Sequence, residues 1–204
     1  MIKKLLEKIE NLKKTKIKKL VDNRIRGFKQ KKSSNEIFNE LCFCILTANY
    51  NAEKSIEIQN TVGDGFLLLS ENKLRKRLKE LGHRFPKARA KYIIEARRYN
   101  GSLKYVIENN NKTRDWLVEK IKGIGYKEAS HFLRNIGYDD FAIIDFHIID
   151  ILTKYKLIEK PKSLGKRKYL EIENLLRKIA QKTELSLAEL DLYLWYIETE
   201  KILK

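Results

Sequence analysis

"IKGIGYKEASHF", residues 121–132, sets two glycines around one isoleucine and a lysine two residues further on. The preceding "TRDWLVEKIKG" (113–123) is amphipathic, and a glycine closing such a stretch is an ordinary helix C-cap. That accounts for Gly123 but not for Gly125, nor for the helical pattern that restarts at Tyr126. A dinucleotide-binding turn needs a strand before it, and no strand alternation precedes this one. The pattern reads helix, glycine hairpin, helix. Its backbone N–H groups face outward at a helix N-terminus, a good place for an anion.

Outward from the hairpin, helical spacing dominates. "SSNEIFNELCFCILTANYNAE" (33–53) opens with a capping box, Ser33 to Glu36, and stays apolar on nearly all sides, so it belongs at the centre of a bundle. "SENKLRKRLKELG" (70–82) starts at a Ser70 cap, runs through Leu74, Leu78 and Leu81, and stops at Gly82. A basic helix follows Pro86. Ile172, Leu175, Leu176 and Ile179 mark one helix face, and Ser186 with Glu189 caps a last helix through Leu187, Leu190, Leu194 and Ile197. The class is all-α, with linkers expected near 29–34 and 137–144.

Lys and Arg number 44 against 27 Asp and Glu, a formal charge of +17, which favours a polyanionic partner. Residues 1–32 hold thirteen Lys/Arg and three acids, a net +10. Ile2, Leu5, Leu6, Ile9 and Leu12 recur there at helical spacing, so the segment is a docked amphipathic helix and not a loose arm. The two cysteines, Cys42 and Cys44, would point to opposite sides of one helix and cannot pair. Two thiols also fall short of an iron–sulfur cluster or a four-ligand zinc site. No apolar run reaches the ~18 residues of a membrane span, and no signal-peptide pattern opens the chain. An intracellular, cytoplasmic, DNA-associated monomer is expected.

After the hairpin, Ala129, Phe132, Leu133 and Ile136 share one face, which should be core. Lys127, His131 and Arg134 fall opposite it. Asp145 ends an apolar stretch in "AIIDFHIIDIL" (142–152) and begins a helix, where its simple role is an N-cap.

Trp116 to Tyr155 resembles the helix-hairpin-helix glycosylases of base-excision repair, in which an aspartate follows the hairpin across a loop. A lysine at the second position after the hairpin marks the bifunctional members. "ELCFCILTANYNAE", "LGHRF", "KGIGYKEASHFLRNIGYDD", "KYLEIENLLR" and "ELDLYLWY" more narrowly resemble the archaeal-type (type 2) 8-oxoguanine DNA glycosylase/AP lyases. The loop "AIID" departs from the superfamily by lacking a proline.

The resemblance implies two helical subdomains flanking a DNA-binding cleft (1–32 with 140–204, and 33–139), no iron–sulfur cluster, and double-stranded DNA containing oxidised guanine as partner. It makes Lys127 the nucleophile and Asp145 the stabiliser of the charge that develops on the sugar. The reaction needs a neutral amine and an ordinary lysine titrates near ~10.4. His131 and Arg134, on the same face, are expected to crowd Lys127. Gly123 and Gly125 would hold a phosphate, Asn49 fill the gap left by a flipped base, Phe85 wedge beside its widowed partner, and His147 touch a nearby phosphate. Trp195 and His131 would wall the base pocket, and the α-carboxylate of Lys204 or a nearby carbonyl would accept the N7 hydrogen that distinguishes 8-oxoguanine from guanine. No cofactor is required. A monovalent cation on the carbonyls of Glu119, Ile121 and Ile124 is a further implication. Two alternatives stay open: a glycosylase/lyase for oxidised pyrimidines, and a non-enzymatic hairpin protein whose lysine only contacts phosphate.

Overall fold

The structure is a computed structural model that describes residues 2–203, and among these every regular element is helical. In chain order they are α1 (Ile2–Lys13), α2 (Lys16–Lys29), α3 (Ser34–Thr47), α4 (Ala52–Val62), α5 (Gly65–Leu68), α6 (Glu71–Glu80) and α7 (Pro86–Ala96). There follow a 3-10 turn (Arg97–Tyr99), α8 (Leu103–Asn109), α9 (Thr113–Lys120), α10 (Tyr126–Asn135), α11 (Phe146–Lys154), α12 (Lys166–Lys182) and α13 (Leu187–Thr199).

The helices divide into two compact units, one built from residues 1–30 and 133–204 in their described part, the other from residues 31–132. The division falls inside α10.

In the second unit α3 is the central rod. Ser33 accepts from the Glu36 N–H while the Glu36 carboxylate accepts from Ser33, the reciprocal cap expected there. From Ile37 to Thr47 every residue but Asn39 is buried, and the helix packs against α4, α7 and α8. Each fully buried Leu, Ile or Phe contributes roughly 1.5–3 kcal/mol, so an all-round apolar helix is stable only in this enclosed position. Both thiols lie inside it, and burial pushes the Cys42 thiol well above its ordinary value, as befits an inert packing residue.

In the first unit the matching rod is α13, capped by Ser186 and Glu189 and buried from Leu187 to Leu194 apart from Glu189. It packs against α1, α2, α11 and α12. The basic N-terminal stretch is two helices and not one, because Thr15 accepts from the Ile17 N–H and starts α2. Leu5, Ile9, Ile17, Val21 and Phe28 face inward while most of the lysines stay in solvent. Gly137 closes the turn after α10 with φ +105°, and a Cβ there would lie 3.2 Å from the Phe28 carbonyl oxygen, so only glycine fits.

Candidate active site

Within the second unit the hairpin forms as expected. Helix α9 ends with the Ile121 N–H on the Leu117 carbonyl, and α10 restarts at Tyr126. Gly123 has φ +84°, and a Cβ on it would sit 2.6 Å from the Tyr92 ring. Both backbone sign and space demand glycine there. Gly125 is different: its N–H donates to Oε2 of Glu128 at 3.1 Å. The hairpin amide assigned to an external anion is held by one of the protein's own carboxylates.

Lys127 is the second residue of α10, and its side chain is 29% exposed. From Ala129 to Asn135 the helix is buried on every side. The expected polar face of His131 and Arg134 is therefore absent. His131 is buried with its ring edge-on to Phe43, 5.4 Å between centroids. Arg134 is buried in the first unit, paired with Asp191, bonded to the Asn135 side chain at 3.0 and 3.2 Å, and 4.9 Å above the Phe28 ring. Burial raises the Asp191 carboxyl to about 6, Arg134 opposes that rise, and the charge of Asp145 adds to it. The crowding of Lys127 by cations is not what the structure gives. Its neighbour is Glu128, with Nζ 3.1 Å from Oε1.

Two loops of the same unit are stapled together. His83 is buried, its Nε2 3.1 Å from the Leu46 carbonyl, and its Nδ1 accepts the Phe85 N–H at 3.0 Å. Accepting at Nδ1 fixes the neutral tautomer with the proton on Nε2, and burial lowers the His83 pKa below its usual value. The Tyr50 ring lies on His83 at 4.2 Å while its hydroxyl donates to the Gly82 carbonyl. This brings Asn49 and Phe85 into one loop cluster. Asn49 is exposed and left-handed at φ 56°, a conformation asparagine tolerates better than most residues. Phe85 is 36% exposed, with the Arg84 guanidinium 5.0 Å from its ring centroid.

Arg89 is the residue that sequence reasoning missed here. It is buried, donates to the Ala48 carbonyl just before Asn49, and lies 5.6 and 5.9 Å from the Phe85 and Tyr92 ring centroids. The signal was available: Arg89 falls on the buried face of Ala90, Ile93 and Ala96, where an arginine needs a reason.

The first unit holds the other group. Asp145 caps α11, its carboxylate accepting the Ile148 N–H at 3.0 Å. The proline-free loop before it is fastened from α12. The Glu173 carboxylate accepts from the Ala142 N–H at 3.0 Å. The buried Tyr169 hydroxyl accepts from Ile144 N–H at 3.2 Å and donates to the Ala142 carbonyl at 2.6 Å. His147 lies between Phe146 (3.9 Å) and Trp195 (4.6 Å, edge-on), which answers for its ring without a phosphate. The Trp195 indole N–H is buried with no acceptor among the described residues. Phe146, 66% exposed beside Asp145, is a second residue missed. Lys204 lies outside the described residues. Among the described residues no group of three or more His, Cys, Asp or Glu is placed to hold a metal ion, and no helix is long and apolar enough to cross a membrane.

A helical fold in which a glycine hairpin carries a lysine at the second position of the next helix, with an aspartate capping the helix after that, defines the class of helix-hairpin-helix DNA glycosylases. The comparisons agree. A sequence profile described as 8-oxoguanine DNA glycosylase matches residues 21–185. The 8-oxoguanine DNA glycosylase/AP lyase of Methanocaldococcus jannaschii is 55% identical, over 98% of this chain and 99% of that protein. Its counterpart in Korarchaeum cryptofilum is 48% identical over 98% of each. The crystal structure of the M. jannaschii glycosylase/lyase in complex with a 15mer DNA containing 8-oxoguanine superposes with a TM-score of 0.95, covering 98% of this chain and 99% of that one. The Thermotoga maritima 8-oxoguanine DNA glycosylase, 41% identical, gives 0.94 over the whole of both chains. The chain belongs to the 8-oxoguanine DNA glycosylase family.

Proposed function

We infer that this protein removes 8-oxoguanine from duplex DNA and cuts the strand at the abasic site, with Lys127 as nucleophile. The observation that carries the assignment is the state of α10. Both of its cations are ion-paired, but Arg134 is buried on Asp191 while Lys127, beside Glu128, reaches solvent in the turn that leaves the hairpin. The Lys127 amine attacks C1′ of the flipped nucleotide, and the C1′–N9 bond breaks with its electron pair going to the departing base, which takes up a proton. The resulting aminal loses its amine protons as the C1′–O4′ bond breaks, the pair going to O4′, which is protonated, and an open-chain Schiff base remains. β-Elimination then breaks the 3′ C–O bond. Asp145 stabilises the positive charge that grows on the sugar as the base leaves.

The amides of the Gly123–Gly125 hairpin take a DNA phosphate, and His147 lies near a second one. Asn49 fills the gap in the stack and Phe85 supports the widowed base. An exposed aromatic edge and a left-handed asparagine on one clamped loop cluster suit those tasks. Trp195 stacks on the extruded base, His131 and Lys204 take part in recognising it, and an acceptor beside the base takes the N7 hydrogen of 8-oxoguanine. That hydrogen is absent from guanine, whose bare N7 would face the same acceptor lone pair to lone pair. The carbonyls of Glu119, Ile121 and Ile124 would hold a monovalent cation, since carbonyls at a helix C-terminus lack intrahelical partners; the Ile121 oxygen accepts from the Ile124 N–H at 3.3 Å. Such an ion would supply positive charge where the phosphate docks.

Borohydride reduction during reaction with an 8-oxoguanine duplex tests the assignment. A covalent protein–DNA adduct should form, map to Lys127 by peptide mass, and vanish in Lys127→Ala while the variant stays folded. Equal trapping by that variant moves the nucleophile elsewhere.

A further inference from the structure

Two polar contacts at the start of α10 converge on a side chain that the reaction above does not use. Glu128 receives the Gly125 N–H on Oε2 and the Lys127 ammonium on Oε1, each at 3.1 Å. Its side chain is 13% exposed, so the contact is largely withdrawn from water. A glutamate at the third helical residue reaching back to the amide before the helix is half of a capping box. A cap needs one oxygen. It does not require the other to hold the nucleophile, nor that the amide be one a phosphate would use.

We propose that Glu128 is a positioning residue that couples the hairpin to the nucleophile. It holds Lys127 in the DNA-free protein, and a DNA phosphate arriving at the Gly125 amide displaces it and frees the amine. This rests on the reading of Lys127 as nucleophile and of the hairpin as a phosphate grip. The physics is competition. One N–H serves one strong acceptor, and two anions on the same amide repel. When Oε2 gives up Gly125, the rigid carboxylate turns as a unit and carries Oε1 away from Nζ. The displaced charge has somewhere to go. Arg89 is within electrostatic reach of Glu128, and its Nε–H is buried with no acceptor among the described residues.

The test uses the full chain as wild type, Glu128→Gln and Glu128→Ala, with a duplex carrying a tetrahydrofuran abasic analogue that cannot react. Glutamine keeps an oxygen for the Gly125 N–H, so the cap survives, but it brings no charge to hold the ammonium. The Gln variant should bind the analogue duplex about fivefold tighter, because phosphate then displaces a neutral acceptor at a partly exposed site. Lys127 in the DNA-free Gln variant should also undergo reductive methylation several-fold faster than in wild type, read by peptide mass. The Ala variant should share the labelling gain and melt at a lower temperature. Unchanged affinity and labelling in the Gln variant, with the wild-type borohydride adduct on Lys127, overturns the coupling and leaves Glu128 a cap. An adduct on a different lysine overturns the nucleophile assignment and the coupling together.

Discussion

At the start of α10 the cap comes from inside the helix, Glu128 reaching back to the Gly125 amide at 3.1 Å. At the start of α11 it comes from the cap residue itself, Asp145 accepting from Ile148 at 3.0 Å. Both satisfy an orphan amide of a first turn. In the first, the group that caps and the group assigned to chemistry are different residues. In the second they are the same one. Function and stability can therefore be separated cleanly at Lys127, whereas at Asp145 the choice of substitution decides whether they separate.

The largest effect expected after loss of Lys127 itself lies at Asp145. Asp145→Asn keeps a capping oxygen and removes the charge, so single-turnover excision should fall about 10²–10³-fold with little change in melting temperature. Asp145→Ala should lose the same activity and, in addition, about 1 kcal/mol of stability. Equal destabilisation by Asn and Ala in chemical denaturation would break the distinction between charge and cap.

A smaller effect separates how the two turns are held. The hairpin relies on its own glycines and on Tyr92 packed over Gly123. The stretch Ala142–Ile144 before Asp145 has no glycine and no proline and depends on the Tyr169 hydroxyl, which serves both Ile144 and Ala142. Tyr169→Phe leaves those backbone groups buried and unpaired, which should cost about 1–3 kcal/mol. Excision should drop less than in Asp145→Asn, because the carboxylate remains but its loop loosens. A variant with unaltered activity and stability would mean that the loop holds its shape without α12.

The hairpin, the caps at Ser33, Ser70 and Ser186, and the aspartate starting α11 were all legible in the sequence, because each is a local pattern with a local cause. What was not legible depends on neighbours far apart in the chain. Helical spacing placed Arg134 on a polar face. Its partner Asp191 is 57 positions away, and that pairing turns an apparently free cation into a buried one. The proline missing from "AIID" looked like lost rigidity, yet Tyr169 and Glu173 supply it from α12. Glu128 was passed over because a single glutamate among so many charges says nothing until its two oxygens are seen to be occupied.

The smallest expected effect sharpens the comparison through pH. The unit that carries the hairpin contains His83, whose neutral ring both donates to Leu46 and accepts from Phe85. Protonation would set an N–H against the Phe85 N–H, and burial already lowers the His83 pKa below its ordinary 6.5. The unfolded chain therefore takes up that proton first as pH falls. The contribution of His83 is complete above its ordinary value and is lost as pH drops through the lower folded one. The unit that carries Asp145 contains Asp191, raised by burial from 3.8 to about 6. Its contribution has the opposite sign, present below the ordinary carboxylate value and lost as pH rises through about 6. Mild acid should thus loosen the Phe85 loop while easing the burial of Asp191. Hydrogen exchange, corrected for the intrinsic rate, should show the Phe85 amide losing protection relative to the Ile148 amide between about pH 7 and about pH 5. In His83→Asn that relative change should disappear. A Phe85 amide that keeps its protection across the same range would show that the ring, and not its protonation state, is what holds the loop.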